Sequence, residues 1–185
     1  MQFHAARICG SWLIEPDPAT DERGWFARTF CEREFAEHGL PTHFVQHSRS
    51  FTRRAGTIRG LHFQSPPFAE EKLVSCVAGA ILDVIFDLRP DSPTYMETWS
   101  VELSGENGRQ LFIPKGVAHG FQALTDNVLV NYLISEFYAP EHARGIRYDD
   151  PVLNVRWPLP VATVSERDLS WPRWEPLVPE ERSLS

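Results

Sequence analysis

"ILDVIFDL", residues 81–88, alternates without a break. Ile81, Asp83, Ile85 and Asp87 fall on one face, and Leu82, Val84, Phe86 and Leu88 on the other. That period of two belongs to a β-strand. Working outward, "TWSVELSG" (98–105), "RQLFIP" (109–114), "NVLVNYLI" (127–134) and "RGLHFQ" (59–64) also read as strands. The turn-forming stretches "RPDSPT", "SGENG", "PKG" and "LTDN" separate them. The one good helix candidate is "CEREFAEHG", a short amphipathic stretch closed by Gly39. There is no internal repeat. Many short strands with almost no helix predict an all-β sandwich or barrel. The 185 residues suffice for one domain, 1–185, with a sizeable core. From about residue 158 onward the chain turns rich in Pro and Trp, and this end is expected to wrap the barrel irregularly and then fray.

Composition narrows the function classes. At 42% hydrophobic and 12% aromatic residues, most of the chain is not disordered. No apolar run reaches the ~18 residues of a membrane helix, and "MQFHAARICG" lacks the charged start and apolar stretch of a signal peptide. A soluble, cytoplasmic protein with no membrane partner is expected. Cys9, Cys31 and Cys76 are odd in number and without CxxC spacing, so they read as buried or half-buried hydrophobes in a reducing compartment. A net charge of −7 argues against nucleic acid as a partner, because phosphate backbones need a basic surface. A small phosphorylated ligand needs only a few local cations. All cations except Lys72 and Lys115 are arginines, which suits bidentate phosphate contacts and equally suits a genomic bias.

Two histidines stand out. In "RGLHFQ" alternation sends Leu61 and Phe63 to one face and His62 and Gln64 to the other. His119 follows the Pro114–Gly116 turn of "IPKGVAHGF". Two inward histidines on neighbouring strands suggest a metal site like that of the cupins, whose pattern is His-x-His, a Glu and a PxGxxH turn. The turn is present as "PKGVAH", but Gln64 stands where the second histidine belongs, and Glu70 or Glu71 compensates only in part. Taken alone, the pair reads equally well as two core histidines bonded to backbone carbonyls.

The wider constellation is more specific. "RGLHFQ", "EEKLVSCVAGAILDVIFDLRPDSPTY", "LFIPKGVAHGFQAL", "EFYAPEHARGIRYDDP" and "SERD", in this order and spacing, resemble the dTDP-4-dehydrorhamnose 3,5-epimerase family of nucleotide-sugar enzymes. The resemblance runs from "DERGWF" at 21 to "SERDLSWP" at 172. It implies a cupin-type double-stranded β-helix (jelly roll) with short peripheral helices. It also implies a homodimer and an isomerase that needs no metal or other cofactor. The substrate class it implies is a nucleoside diphosphate sugar, with dTDP favoured.

By the same resemblance His62 is the catalytic base, Asp168 orients it, Tyr132 is the acid and Lys72 stabilises the enolate. Without it, Asp168 would read as a solvated surface group, Tyr132 as a core tyrosine and Lys72 as half of a surface ion pair. Arg59 and His119 match further substrate contacts, Arg23 matches a diphosphate contact, and Tyr138 matches the aromatic that stacks on the base. Some positions depart from the family pattern. "RGFFFE" becomes "RGWFAR", putting Arg28 in place of a substrate-contacting glutamate. "VQDN" becomes "VQHS", keeping Gln46 but placing His47 and Ser48 after it. Ala143 replaces a glutamate, and Arg167 a lysine. The implied reaction epimerises a 4-keto-6-deoxyhexose at C3 and C5. The competing readings are a single-centre epimerase or ketoisomerase, a non-catalytic sugar-binding barrel, and a metal-dependent oxygenase.

Overall fold

A computed structural model of the chain describes residues 1–174. Its first half holds β1 (Gln2–Ala5), β2 (Trp12–Glu15), β3 (Ala19–Asp21), β4 (Gly24–Phe26), α1 (Glu32–Glu37), β5 (Gln46–Thr52) and β6 (Ile58–Gln64). Then come β7 (Lys72–Ala78), β8 (Ala80–Asp87), β9 (Thr98–Ser104), β10 (Gln110–Ile113), β11 (Val117–Ala123), β12 (Val128–Ile134), β13 (Ala143–Gly145) and α2 (Glu166–Leu169). One sheet has six strands in the order β1-β2-β10-β7-β12-β5, and a second has five in the order β13-β6-β11-β8-β9. The short hairpin β3–β4 stands apart from both. This is the expected jelly roll of the cupin type. The strands read from the sequence recur within a residue or so, and α1 ends where Gly39 takes φ +68°, a conformation that glycine reaches without strain.

Alternation explains the layers. Ile81 and Ile85 of β8 point between the sheets, where they meet Val74, Leu111, Phe121 and Val130. Val84 and Phe86, on its other face, pack against Leu61, Ile146 and Leu153. β8 is therefore covered on both sides, and both of its faces carry buried apolar side chains. A third layer lies outside the six-stranded sheet, where Phe35 of α1 covers Ile14, Leu73 and Phe112. Full burial of each such side chain contributes about 1.5–3 kcal/mol.

The two inward aspartates of β8 are handled differently. Asp87, at the strand's end, is fully buried, and burial alone would raise its carboxyl. Donors from Arg89, Ser92 and Thr94 instead hold it at about 2. Asp83, in the middle of the strand, belongs to the site described below.

Between about residues 158 and 174 the chain lies along the second sheet. The Gln122 amide donates to the Leu159 carbonyl at 2.9 Å and its oxygen accepts from the Leu159 N–H at 3.0 Å. Ile58 N–H donates to Thr163 O, and Trp157 and Trp174 close over the Leu61–Phe86 layer. The expected fraying concerns residues 175–185, which lie outside the described residues. Cys76 is buried, its thiol pushed up to about 11 by desolvation, and Cys31 is half-buried. Cys9 departs from the expectation. It is exposed, because it sits in the reversal between β1 and β2 rather than on a strand face. Among the described residues no helix is long and apolar enough to cross a membrane.

Candidate active site

The register of β11 against β6 sets His119 directly opposite His62. From there to the next pair, Phe121 opposite Arg59, β6 takes three steps where β11 takes two. This bulge reverses the alternation, so Arg59 reaches the same side of the sheet as His62. Strict period-two reading would have put them on opposite faces. Gly60 makes the bulge possible: its φ is +99°, and a Cβ there would meet the His119 carbonyl oxygen at 2.6 Å.

The bulged face opens into a cavity of about 500 Å³ between the sheets. His62, Arg59 and His119 enter it from the five-stranded sheet, and Tyr132, Lys72 and Ser48 from the six-stranded one. Arg167 and Asp168, near the end of the described chain, close one side. These side chains come from six elements spread between residues 48 and 168, and the folded barrel brings them together.

His62 Nε2 lies 2.6 Å from Asp168 Oδ1. A carboxylate only accepts, so Nε2 carries the hydrogen, and in the neutral imidazole the lone pair is on Nδ1. Asp168 sits in α2, whose N-terminus is capped by the Ser165 hydroxyl accepting from the Asp168 N–H at 3.1 Å. Burial would raise the Asp168 carboxyl. The His62 hydrogen bond and charge, the Gly60 N–H at 3.2 Å and the Ser165 hydroxyl outweigh it and hold the carboxyl below its ordinary value. The imidazole itself remains 45% exposed, open to the cavity.

A second pair lies deeper. His119 Nε2 is 2.6 Å from Asp83 Oδ1, with both side chains buried. Here burial prevails and pushes the Asp83 carboxyl up, although His119 and Lys72 draw it back. Tyr132 packs its ring edge-on to His119, at 6.2 Å between centroids. The Tyr132 hydroxyl shares a 3.1 Å hydrogen bond with Ser50 Oγ. Burial pushes this phenol above its ordinary value, so it holds its proton.

Lys72 is not the surface residue that its neighbours suggest. Its side chain is 12% exposed, and Nζ lies 2.6 Å from Glu70 Oε1. Arg59 is braced against β5, donating to Thr52 Oγ1 and the Phe51 carbonyl, each at 2.9 Å. A smaller cavity of about 170 Å³ adjoins the first and shares His62, Lys72 and Arg167 with it. Gln46, Tyr138 and Ala143 line this annex. The Tyr138 hydroxyl accepts from Arg167 Nη1 at 3.2 Å, and the Arg167 guanidinium lies 5.4 Å from the Trp171 ring centre.

Two residues carried over from the resemblance are not brought to this cavity within one chain. Arg23 stands exposed at the turn of the β3–β4 hairpin, paired with Asp21. Arg28 faces Glu34, 3.9 Å away, over a separate surface groove beside Cys31. Gln64, which takes the place of the second histidine in a metal-binding cupin, is bonded to backbone on both ends of its amide. It donates to the carbonyls of Phe68 and Phe137 and accepts from the Ala139 N–H. It therefore ties two loops together beside the cavity. Asp83 and Ser50 were not picked out as site features from the sequence, and Glu70 was weighed there only as a partial metal ligand and a surface partner of Lys72. Asp83 did leave a signal, as an inward carboxylate between Ile81 and Ile85, but nothing in the spacing of Ser50 betrays its partner.

The family model described as dTDP-4-dehydrorhamnose 3,5-epimerase matches residues 5–176. The enzyme of that name from Methanothermobacter thermautotrophicus is 46% identical over 173 residues, 92% of each chain. Among solved structures, the Bacillus anthracis dTDP-4-dehydrorhamnose 3,5-epimerase with TDP and PPi bound superposes with a TM-score of 0.91 at 38% identity. That match covers 94% of this chain and 99% of the other. The Legionella pneumophila dTDP-6-deoxy-D-glucose-3,5-epimerase, in complex with dTDP-4-keto-L-rhamnose, gives 0.86 at 37% identity, covering 94% and 98%. These similarities favour an epimerase over a ketoisomerase or a non-catalytic barrel. The chain belongs to the dTDP-4-dehydrorhamnose 3,5-epimerase family.

Proposed function

We propose that this epimerase acts on dTDP-4-dehydro-6-deoxyglucose, inverting C3 and C5 by proton abstraction beside the C4 ketone. The observation that carries the reading is the His62–Asp168 pair facing the same cavity as Tyr132 from the opposite sheet. Hydrogens next to a ketone are acidic only if the enolate is stabilised as it forms. His62 Nδ1 takes the proton and becomes an imidazolium held by Asp168, while the electrons of the broken C–H bond pass to the ketone oxygen. Lys72 stabilises that oxygen. Tyr132 then gives its proton to the other face of the carbon, and the two groups return to their starting states through solvent. Inversion needs base and acid on opposite faces of the ring, which two facing sheets supply.

Arg59 and Arg167 bring positive charge to the cavity walls, fitting the diphosphate, and Tyr138 offers a half-exposed ring for the base. His119, Gln46 and Ser48 complete the sugar and nucleotide contacts. The hairpin that carries Arg23 also exposes Trp25 at 63% and Phe26 at 75%. Solvent-facing aromatics on a protruding hairpin suit a homodimer in which this arm covers a second copy. Arg23 and Arg28 would then reach a nucleotide across the interface. The test is incubation with dTDP-4-dehydro-6-deoxyglucose in deuterated water, followed by NMR. Deuterium at both C3 and C5 of a rhamno-configured product is expected. Incorporation at one carbon only would mean a single-centre epimerase, and none at either would end the reading.

A further inference from the structure

Glu70 is a buried carboxylate with little to do for the fold. Its Oε1 lies 2.6 Å from Lys72 Nζ, and its Oε2 is buried with no hydrogen-bond partner among the described residues. Buried carboxylates ordinarily satisfy both oxygens, so one that engages a single ammonium needs an explanation outside stability. The backbone around it is fixed independently. Glu71 N–H donates to Ser135 Oγ at 2.8 Å, and Ser135 N–H donates to the Glu71 carbonyl at 3.1 Å. Lys72 itself starts β7, paired with Ile113 of β10 and Ile134 of β12. Lys72 thus stands at the start of a paired strand, Glu70 lies two residues before it beside the anchored Glu71, and the flexible lysine stem is left to be placed.

The ammonium stands where the main cavity meets its annex. Besides Glu70 it reaches, among the described residues, only the His62 carbonyl, at 3.5 Å, which is too long to hold it. We propose that Glu70 is a positioning residue that fixes the Lys72 ammonium where the enolate oxygen develops. This rests on the reading of Lys72 as the enolate-stabilising cation. The geometry separates aim from charge. A carboxylate beside the ammonium works against a developing enolate, because it repels that negative charge and weakens the cation's field. Its asset is therefore its reach. An oxygen at the end of a side chain of this length holds Nζ in place, and misplacement by about 1 Å costs up to ~10²-fold.

Two conservative variants divide these properties. Glu70→Gln keeps the reach and loses the charge, whereas Glu70→Asp keeps the charge and withdraws the oxygen by one methylene. Steady-state kinetics on the full-length enzyme should give a kcat for Glu70→Gln within about fivefold of wild type and for Glu70→Asp at least about tenfold lower, with KM little changed in either. Adding Glu70→Asp to Lys72→Met should cost nothing further, because the residue acts only through the lysine. If Glu70→Asp turns over as fast as Glu70→Gln or faster, the proposal falls. It also falls if Glu70→Asp costs as much in the Lys72→Met background as alone, which would mark a structural role. Lys72→Met at the wild-type rate would instead overturn the reading of Lys72 itself, and the proposal with it.

Discussion

Two His–Asp pairs face each other across one antiparallel register, each with an Nε2–Oδ1 distance of 2.6 Å. Their surroundings make them different groups. His62 is 45% exposed and His119 only 6%. Asp168 receives a backbone N–H and lies near a capping hydroxyl, so its charge is stabilised, whereas Asp83 leaves Oδ2 buried without a partner among the described residues. Burial wins at Asp83 and loses at Asp168. An ionised carboxylate behind an open imidazole is prepared for that imidazole to become charged. A desolvated carboxyl behind a closed imidazole resists such a change. On the proposed reading, the same two residue types therefore make a proton acceptor in one place and a fixed wall in the other.

The comparison breaks most directly at the bases. His62→Ala should lower kcat by ~10²–10⁴-fold and abolish solvent exchange at both carbons, since one base serves both. Activity within about tenfold of wild type would remove His62 from the role. Asp168→Asn comes next. An amide can no longer stabilise the imidazolium, and a loss of ~10²-fold or more is expected without unfolding. Asp83→Asn sharpens the contrast, because its oxygen still accepts from His119 and no charge is needed there. Its kcat should fall by at most about tenfold. If Asp83→Asn proved as damaging as Asp168→Asn, the two pairs would not be divided as described.

Acid titration provides a smaller effect of opposite sign at the two carboxyls. The folded value of Asp168 is lowered, so its contribution to stability is full above the ordinary carboxylate value and is lost as pH falls through the lowered one. The folded value of Asp83 is raised, so its cost is full above that raised value and is relieved as pH falls through it. Thermal melts between about pH 3 and pH 7 should show Asp168→Asn least stable relative to wild type at the neutral end, with the gap closing in acid. Asp83→Asn should gain most at the neutral end. Parallel curves for both variants would contradict the assignment. The smallest effect expected is none. Gln64 is committed to three backbone groups and both Nε2 atoms to carboxylates, so a chelator should leave turnover unchanged. Activity lost to a chelator and restored by a metal would overturn this.

The fold was legible because alternation is a local property. Residues 81–88 and 127–134 carry their strand period on their face, and the "PKG" turn and Gly39 mark chain reversals through backbone chemistry alone. His62 was legible for the same reason, as a polar residue on an inward face. What could not be read locally depends on register. The bulge at Gly60 moves Arg59 onto the face of His62, against simple alternation, and only the β11 pairing reveals it. Asp168 meets His62 from more than a hundred residues away, through a capped turn of helix rather than a strand. Lys72 beside two glutamates looks like a surface ion pair until the burial of Glu70 is seen. Arg23 and Arg28 were placed by resemblance alone, and a single chain does not bring them to the cavity.

The central claim is that base and acid act from opposite sheets on the two faces of one sugar ring. Tyr132→Phe tests it most directly, with the substrate incubated in deuterated water and both C3 and C5 followed by NMR. The ring packing is kept and only the proton donor is removed. The account predicts continued exchange at the carbons, because His62 can return what it takes, together with a loss of net inversion of ~10²-fold or more. A variant that still inverts both centres at the wild-type rate would contradict it.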